Sequence, residues 1–326
     1  MNNQLKDKIR GIIFGQAIGD ALGFGTEWIS KQQVTQEYPN GLHDYSQITR
    51  YNSLKGMEGW LPGDWTDDTD QMLCILDSLL EKKDLKIHDI AAKIHHWAIT
   101  DGMGMGRTVY TVIHTPGFVE NPYEIAQKVW SDSGRQWAAN GAVMRTSVLG
   151  IWQYQDKEQV KNNAEKVSRL THPDPRCLGS CVAVCLTLSS ILQGETDIEQ
   201  IIAQIAQVTQ PYHPEFQEYF AKAAISLESL DLDEGLNPGE TDSVGYTMKT
   251  FGAGFWALQH GESYKDGILQ IIHEGGDADT NAAVAGALLG AKFGYSNIPQ
   301  KWVEGLVYRQ ELGEKVDRLM ALMSSH

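Results

Sequence analysis

Apolar residues return every three or four positions along most of this chain. Residues 5–23 set Ile9, Ile13, Ala17 and Ala21 four apart, and Ile12, Ile18 and Leu22 widen the stripe, which predicts a helix packed on a core. Gly15, Gly19 and Gly23 run along a second face of the same segment. Glycine weakens a helix interior, so three of them predict close approach by neighbouring helices, or by a ligand near the carboxyl end. The same periodicity predicts helices at 67–82, 87–99, 121–129, 137–152, 157–170, 176–192, 196–208, 214–228, 243–259, 263–273, 280–292 and 311–323. Thr108 to Ile113 is the best strand-like run, rich in β-branched residues, but it is isolated and reads equally well as helix. Gly, Pro, Asn and Asp mark loops at 35–64, 101–119, 131–136, 171–176 and 230–242. The last contains DLDEGLNPGETD, an acidic surface loop with a solvated face. No loop reads as an interdomain linker and no repeat is present, so the pattern predicts one mostly helical domain of about a dozen helices.

Composition narrows the function classes. Among 326 residues, 42% hydrophobic and 21% charged, 10 Pro and 32 Gly exclude a disordered or collagen-like chain. No run approaches the roughly 18 consecutive apolar residues of a membrane helix, so a soluble globular protein is expected. Forty-two acidic against 27 basic side chains give −15. That charge repels phosphate backbones and anionic lipids, and no local basic patch offsets it, so general nucleic-acid or membrane binding is not expected. The start, MNNQLKDKIRG, has no apolar segment, which leads to a cytoplasmic expectation. Of the four cysteines, Cys177, Cys181 and Cys185 recur every four residues, and none pairs with Cys74 as C-x-x-C. Buried core thiols are therefore expected in place of zinc or disulfides.

Two segments carry the chemistry. Pro62-Gly63-Asp64-Trp65-Thr66-Asp67-Asp68-Thr69-Asp70 leads into the apolar series Met72, Leu73, Leu76, Leu79 and Leu80. Thr66 stands at an N-cap position with carboxylates in the first turn. Complementing the helix dipole accounts for one or two of those acids. Three in four residues repel one another, which makes cation binding the competing explanation. The second segment, His273-Glu274-Gly275-Gly276-Asp277-Ala278-Asp279-Thr280-Asn281, opens a helix of small residues, AAVAGALLGA. Its paired glycines permit a tight turn before the acids. If the two ends meet, Thr66, Asp67, Asp68, Asp277, Asp279 and Thr280 offer only oxygen ligands, which select hard cations such as Mg²⁺ or Mn²⁺. Four aspartates carry −4, which two dications neutralise, so a binuclear centre is expected.

Together with Gly15-Gln16-Ala17-Ile18-Gly19-Asp20-Ala21-Leu22-Gly23 and Glu27, these motifs resemble the ADP-ribosylglycohydrolase family, in order and over nearly the whole chain. The resemblance implies an all-α fold, a single compact orthogonal multi-helix domain spanning 1–326. It further implies a binuclear Mg²⁺ or Mn²⁺ site at helix N-termini and hydrolysis at C1″ of an ADP-linked ribose, with an ADP-ribosylated protein or small molecule as substrate. It implies catalytic roles for Glu27, Asp67 and Asp68. Asn140-Gly141-Ala142-Val143-Met144-Arg145 and Thr171-His172 resemble family segments beside the substrate, which brings in Asn140, Gly141, Arg145 and His172. Gly104 and Gly106 resemble a Gly-x-Gly loop whose bare amides cradle a diphosphate.

Some positions depart from the pattern. Gly104 stands where some arginine-acting members carry an aspartate, and Gln136-Trp137-Ala138-Ala139 replaces a small-residue run, Trp137 being either a base-stacking or a core residue. The acceptor and the oligomeric state are not legible. Two rivals follow from the residues. Asp67-Asp68-Thr69-Asp70 loosely resembles the Asp-rich Mg²⁺ motif of isoprenoid synthases, although Asp70 is one position early. A catalytically silent structural or binding member of the same fold is the other.

Overall fold

The computed structural model describes residues 1–49, 59–237 and 243–324. Sixteen α-helices lie in the described residues: α1 (Asn3–Gly23), α2 (Lys31–Glu37), α3 (Asp67–Lys82), α4 (Ile87–Thr100), α5 (Arg107–Ile113), α6 (Pro122–Asp132), α7 (Ser147–Ile151) and α8 (Lys157–Ser168) form the first half. The second half comprises α9 (Pro175–Leu192), α10 (Ile198–Thr209), α11 (Glu215–Ile225), α12 (Thr247–His260), α13 (Tyr264–Ile272), α14 (Ala278–Phe293), α15 (Gln300–Gly305) and α16 (Arg309–Ser324). Among these residues β-pairing is confined to two isolated bridges, Ser30 with Gly275 and Ala139 with Tyr246. The all-α expectation holds, and one continuous apolar core runs through the helices.

The centre of the molecule is the pair α1 and α14. Every residue of the α1 stripe named above is buried. The glycine face meets α14 backbone to backbone: a Cβ on Gly11, Gly15, Gly19 or Gly23 would lie 2.3, 2.3, 2.0 or 2.4 Å from the carbonyl oxygen of Gly290, Gly286, Ala282 or Ala278. The partner numbers fall as the α1 numbers rise, so the helices are antiparallel, and the carboxyl end of α1 lies beside the amino end of α14. Of the two explanations for these glycines, a neighbouring helix is the one found. Cys177, Cys181 and Cys185 are buried in α9 as expected. That helix is long and apolar enough to cross a bilayer, but it lies mostly inside the protein.

Four readings are changed or decided. Residues 137–152 do not form one helix: the chain is irregular to Ala142, makes a 3₁₀ turn at Val143–Arg145, and only then enters α7. Backbone bonds from Asn140 N to Gly245 O (3.0 Å) and from Thr247 N to Ala138 O (2.9 Å) hold the irregular part open. The β-branched run Thr108 to Ile113 is helical, within α5. In the loop predicted over 35–64, α2 extends to Glu37 behind a capping box of Ser30 and Gln33, while 50–58 lie outside the described residues. The described part of the acidic stretch is less solvated than expected, since Leu232 is buried, and its positions 238–242 are not described.

Candidate active site

Both acidic segments open helices, and the two helices face each other. Thr66 is the N-cap of α3 and Asp67 and Asp68 begin it; Asp277 is the N-cap of α14 and Asp279 lies in its first turn. The ends interlock through their hydroxyls. Thr280 Oγ1 donates to Asp68 Oδ1 at 3.2 Å, and Thr66 Oγ1 lies 3.4 Å from Asp279 Oδ2. Between them opens a cleft of about 400 Å³ whose wall includes Glu27, Asp67, Asp68, Asp277, Asp279 and Thr280. Carboxylate oxygens of Glu27, Asp277 and Asp279 lie within 4.8 Å of one another, a spacing that can hold a metal ion. Asp68 Oδ2 is buried without a hydrogen-bond partner.

Glu27 arrives from the turn after α1. That turn is stitched to the lead-in of α14 by Trp28 N to Gly276 O (2.7 Å) and Gly276 N to Ile29 O (2.9 Å). Gly275 and Gly276 both have φ of +71°, and a Cβ on Gly275 would meet Ile29 O at 2.2 Å, so the tight turn expected there requires glycine.

Burial raises the affinity of these carboxyls for protons. Desolvation pushes Asp67, Asp68 and Asp279 well above the ordinary range, and neighbouring carboxylates add repulsion. Asp277 is also raised by burial, opposed in part by a bond from Asn140 Nδ2 to its Oδ2 at 2.7 Å. The third acid of the α3 cluster has a different role. Asp70 turns away and accepts the indole N–H groups of Trp65 (2.8 Å) and Trp97 (3.1 Å), while burial raises its pKa to about 6.

Gly104, Gly106, Asn140, Gly141 and His172 also line the cleft, so of the anticipated residues only Thr66 and Arg145 stand behind its wall. Gly104 adopts a φ of +82°, and a Cβ there would press on Asp67 Oδ1 at 2.9 Å. Arg145 is fully buried. Its Nη1 donates to Gln71 Oε1 (2.6 Å), Gln71 Nε2 donates to Asp67 Oδ2 (2.8 Å), and Nη2 donates to Thr171 Oγ1 (2.6 Å). Burial lowers its pKa to about 10, which leaves it charged at neutral pH.

Sequence reasoning missed three features. Asp20, inside α1 and fully buried, accepts Thr66 N (2.9 Å) and Oγ1 (2.8 Å) on one oxygen, and Thr69 N (3.0 Å) and Oγ1 (2.6 Å) on the other. Its signal was present: a lone acid within a stripe of Gly, Ala and Ile. Thr250 accepts from Asn140 Nδ2 (2.9 Å) and donates to Asn281 Oδ1 (2.8 Å), steadying the amide that holds Asp277. Arg107 brings a cation to the cleft wall, its guanidinium 5.1 Å from the centre of the half-buried Trp137 ring.

A family model described as ADP-ribosylglycohydrolase matches residues 1–326. The ADP-ribosyl-[dinitrogen reductase] glycohydrolase of Rhodospirillum rubrum is 26% identical, over 97% of this chain and 96% of its own. ADP-ribosylarginine hydrolase Tri1 of Serratia proteamaculans is 24% identical, over 96% of this chain and 79% of its own. A solved structure described as an ADP-ribosylglycohydrolase-related protein complex superposes with a TM-score of 0.70 at 24% identity, covering 98% of this chain and 99% of that one, a likeness of fold.

Proposed function

The chain belongs to the ADP-ribosylglycohydrolase family, and on that premise we propose that it is a divalent-metal-dependent hydrolase of the C1″ glycosidic bond of ADP-ribosyl groups. It releases ADP-ribose from a modified protein side chain or small molecule. One observation carries the reading: four aspartates from two opposed helix N-termini, with Glu27, line a single cleft. Relatives named for ADP-ribosylarginine and for ADP-ribosyl-dinitrogen reductase support the substrate kind.

The residues fit hard cations. The donors are oxygens alone, the Asp68 Oδ2 lone pairs lack a protein partner, and packing this many buried carboxyls costs least when positive charge sits among them. Two Mg²⁺ or Mn²⁺ ions, held by Thr66, Asp67, Asp68, Asp277, Asp279 and Thr280, would supply Lewis acidity and lower the pKa of water at the site. The chain does the rest. Asn140 fixes Asp277, and Asp20 fixes Thr66. The negative wall favours the positive charge that builds at C1″ in an oxocarbenium-like transition state. Glu27, half-buried at the lip, can carry the proton between water and the departing acceptor. Bare amides around Gly104 and Gly106, which line the cleft, would meet a diphosphate.

The isoprenoid reading is not favoured, because Asp70 is bound to two indoles and does not face the cleft. The test is a panel of defined substrates, with ADP-ribose linked to arginine, serine, a polymer, a nucleic-acid base or a metabolite, each assayed with Mg²⁺, Mn²⁺ and a chelator. Release of ADP-ribose that stops on chelation is expected, and Asp67→Asn and Asp279→Asn should abolish it. Turnover undiminished by chelation would remove the metal from the mechanism. A folded, metal-binding protein inert on the whole panel would favour the silent member.

A further inference from the structure

Trp28 follows Glu27 in the turn after α1, lines the same cleft, and is 55% exposed. Among the described residues its ring enters no aromatic stack or cation contact, and its indole N–H makes no hydrogen bond. Its φ is +58°, a region that glycine enters freely and a bulky side chain does not. A tryptophan held there costs stability, and with half its surface in water it returns little of that cost by burial.

The backbone beneath the ring is fixed on both sides. Trp28 N donates to Gly276 O (2.7 Å), Gly276 N donates to Ile29 O (2.9 Å), and Ser30 pairs with Gly275 before capping α2. A rigid turn therefore presents the indole at the lip of the cleft. Its place in the reaction follows from Glu27. That carboxyl meets the atom departing from C1″ in the proposed mechanism, so the acceptor stands at the lip beside the neighbouring ring.

Charge and shape select what the ring holds. Glu27, Asp67, Asp68, Asp277 and Asp279 carry one more negative charge than two dications neutralise. Arg107 is the only arginine or lysine among the described residues that line the cleft, and it follows Gly106 in the loop assigned to the diphosphate. A positively charged acceptor is thus favoured at the lip over a neutral one. Gly104 has no carboxylate to offer such a group, so the contact falls to the lip, where Trp28 and Glu27 stand. A guanidinium is a planar, delocalised cation that stacks on an indole face, whereas the methylene and oxygen of a serine link offer neither charge nor plane.

We propose that Trp28 determines acceptor specificity, its indole face seating the guanidinium of an arginine-linked ADP-ribosyl group. The acceptor named here rests on the proposed function and deepens it. Steady-state kinetics of the full chain with Mg²⁺ or Mn²⁺ test this on ADP-ribosylarginine, an ADP-ribosylserine peptide and a base-linked ADP-ribosyl nucleoside. The wild type should prefer the arginine link. Trp28→Gly should raise KM for that substrate roughly 5- to 30-fold, the range of one cation–π contact, and leave kcat nearly unchanged. Trp28→Phe, which keeps an aromatic face, should restore most of the loss. The serine-linked KM and inhibition by free ADP-ribose, which lack the guanidinium, should move less than about twofold. Because glycine relieves the strained φ, the urea midpoint of Trp28→Gly should hold or rise, so weaker binding is told apart from a damaged fold. Wild-type preference for the serine or base link, or an arginine-linked KM unmoved in Trp28→Gly, would overturn the proposal and leave the proposed function standing. So would a lowered urea midpoint with equal losses on every substrate, which would make Trp28 a support for the turn. A wild-type chain that releases no ADP-ribose from any of the three would overturn the proposed function, and this inference with it.

Discussion

The two helix ends that form the cleft present matching chemistry, a threonine and two aspartates each, and are held in place by opposite means. The start of α14 is positioned by shape. Its backbone lies against that of α1 at four successive turns, and its lead-in passes through two glycines with positive φ. The start of α3 is positioned by hydrogen bonds. Asp20 grips Thr66 and Thr69 from inside α1, and Gln71 with Arg145 grips Asp67 from inside the core. Shape holds a helix rigidly without adding charge. Polar contacts hold individual side chains, which lets Asp67 and Asp68 be aimed separately while Asp70, on the same turn, serves the fold.

The largest effect should come from breaking the shape side. In Gly19→Ala the new methyl would sit 2.0 Å from Ala282 O, backbone that cannot swing aside, so α1 and α14 must part. We expect a loss of about 3 kcal/mol or more in urea unfolding, the upper range of overpacking. A loss under about 1 kcal/mol would mean that the pair can separate at little cost, and that its contact does not fix the α14 end.

Breaking the polar side should cost less and act on one end. Asp20→Asn turns an N–H toward donors at Thr66 or Thr69, leaving buried groups unsatisfied, for about 2 kcal/mol. Because Thr66 loses its anchor, Mn²⁺ affinity measured by calorimetry should fall on the order of 10- to 100-fold, as for other residues that orient ligands. If stability fell while Mn²⁺ affinity did not, Asp20 would be a support for the fold alone.

The same contrast explains what was legible in the sequence. Shape-based positioning is periodic and local: Gly15, Gly19 and Gly23 at every fourth residue, and Gly275-Gly276 before the acids, declare themselves in one dimension. Positioning by hydrogen bonds is neither. Asp20 and Thr66 are 46 residues apart, and Asn140 and Asp277 are 137 apart, so nothing near either residue announces the partner. For this reason the sequence alone points Arg145 toward the substrate, whereas it stands behind the wall, bonded to Gln71 and Thr171. The helix expected over 137–152 failed for a related cause. Its apolar period is sound, but backbone pairing with Gly245 and Thr247 outweighs local preference and presents Asn140 to Asp277.

The smallest effect separates the two sides by pH. Glycine packing has no proton to gain, whereas the polar side ends in His172, whose folded pKa of about 3 lies below its ordinary 6.5 because of burial and Arg145. Below pH 6.5 the unfolded chain therefore binds a proton that the folded chain refuses, and stability is lost as pH falls toward 3. Between pH 7.5 and 5.5 this amounts to about 1 kcal/mol. The buried aspartates, with raised pKa values, act in the opposite sense, so total stability would blur the comparison. His172→Asn isolates it. The variant is less stable at both pH values, but its urea midpoint should fall less than that of the wild type between 7.5 and 5.5. An equal fall in both proteins would mean that His172 takes up its proton in the folded state, and that burial and Arg145 do not hold it neutral.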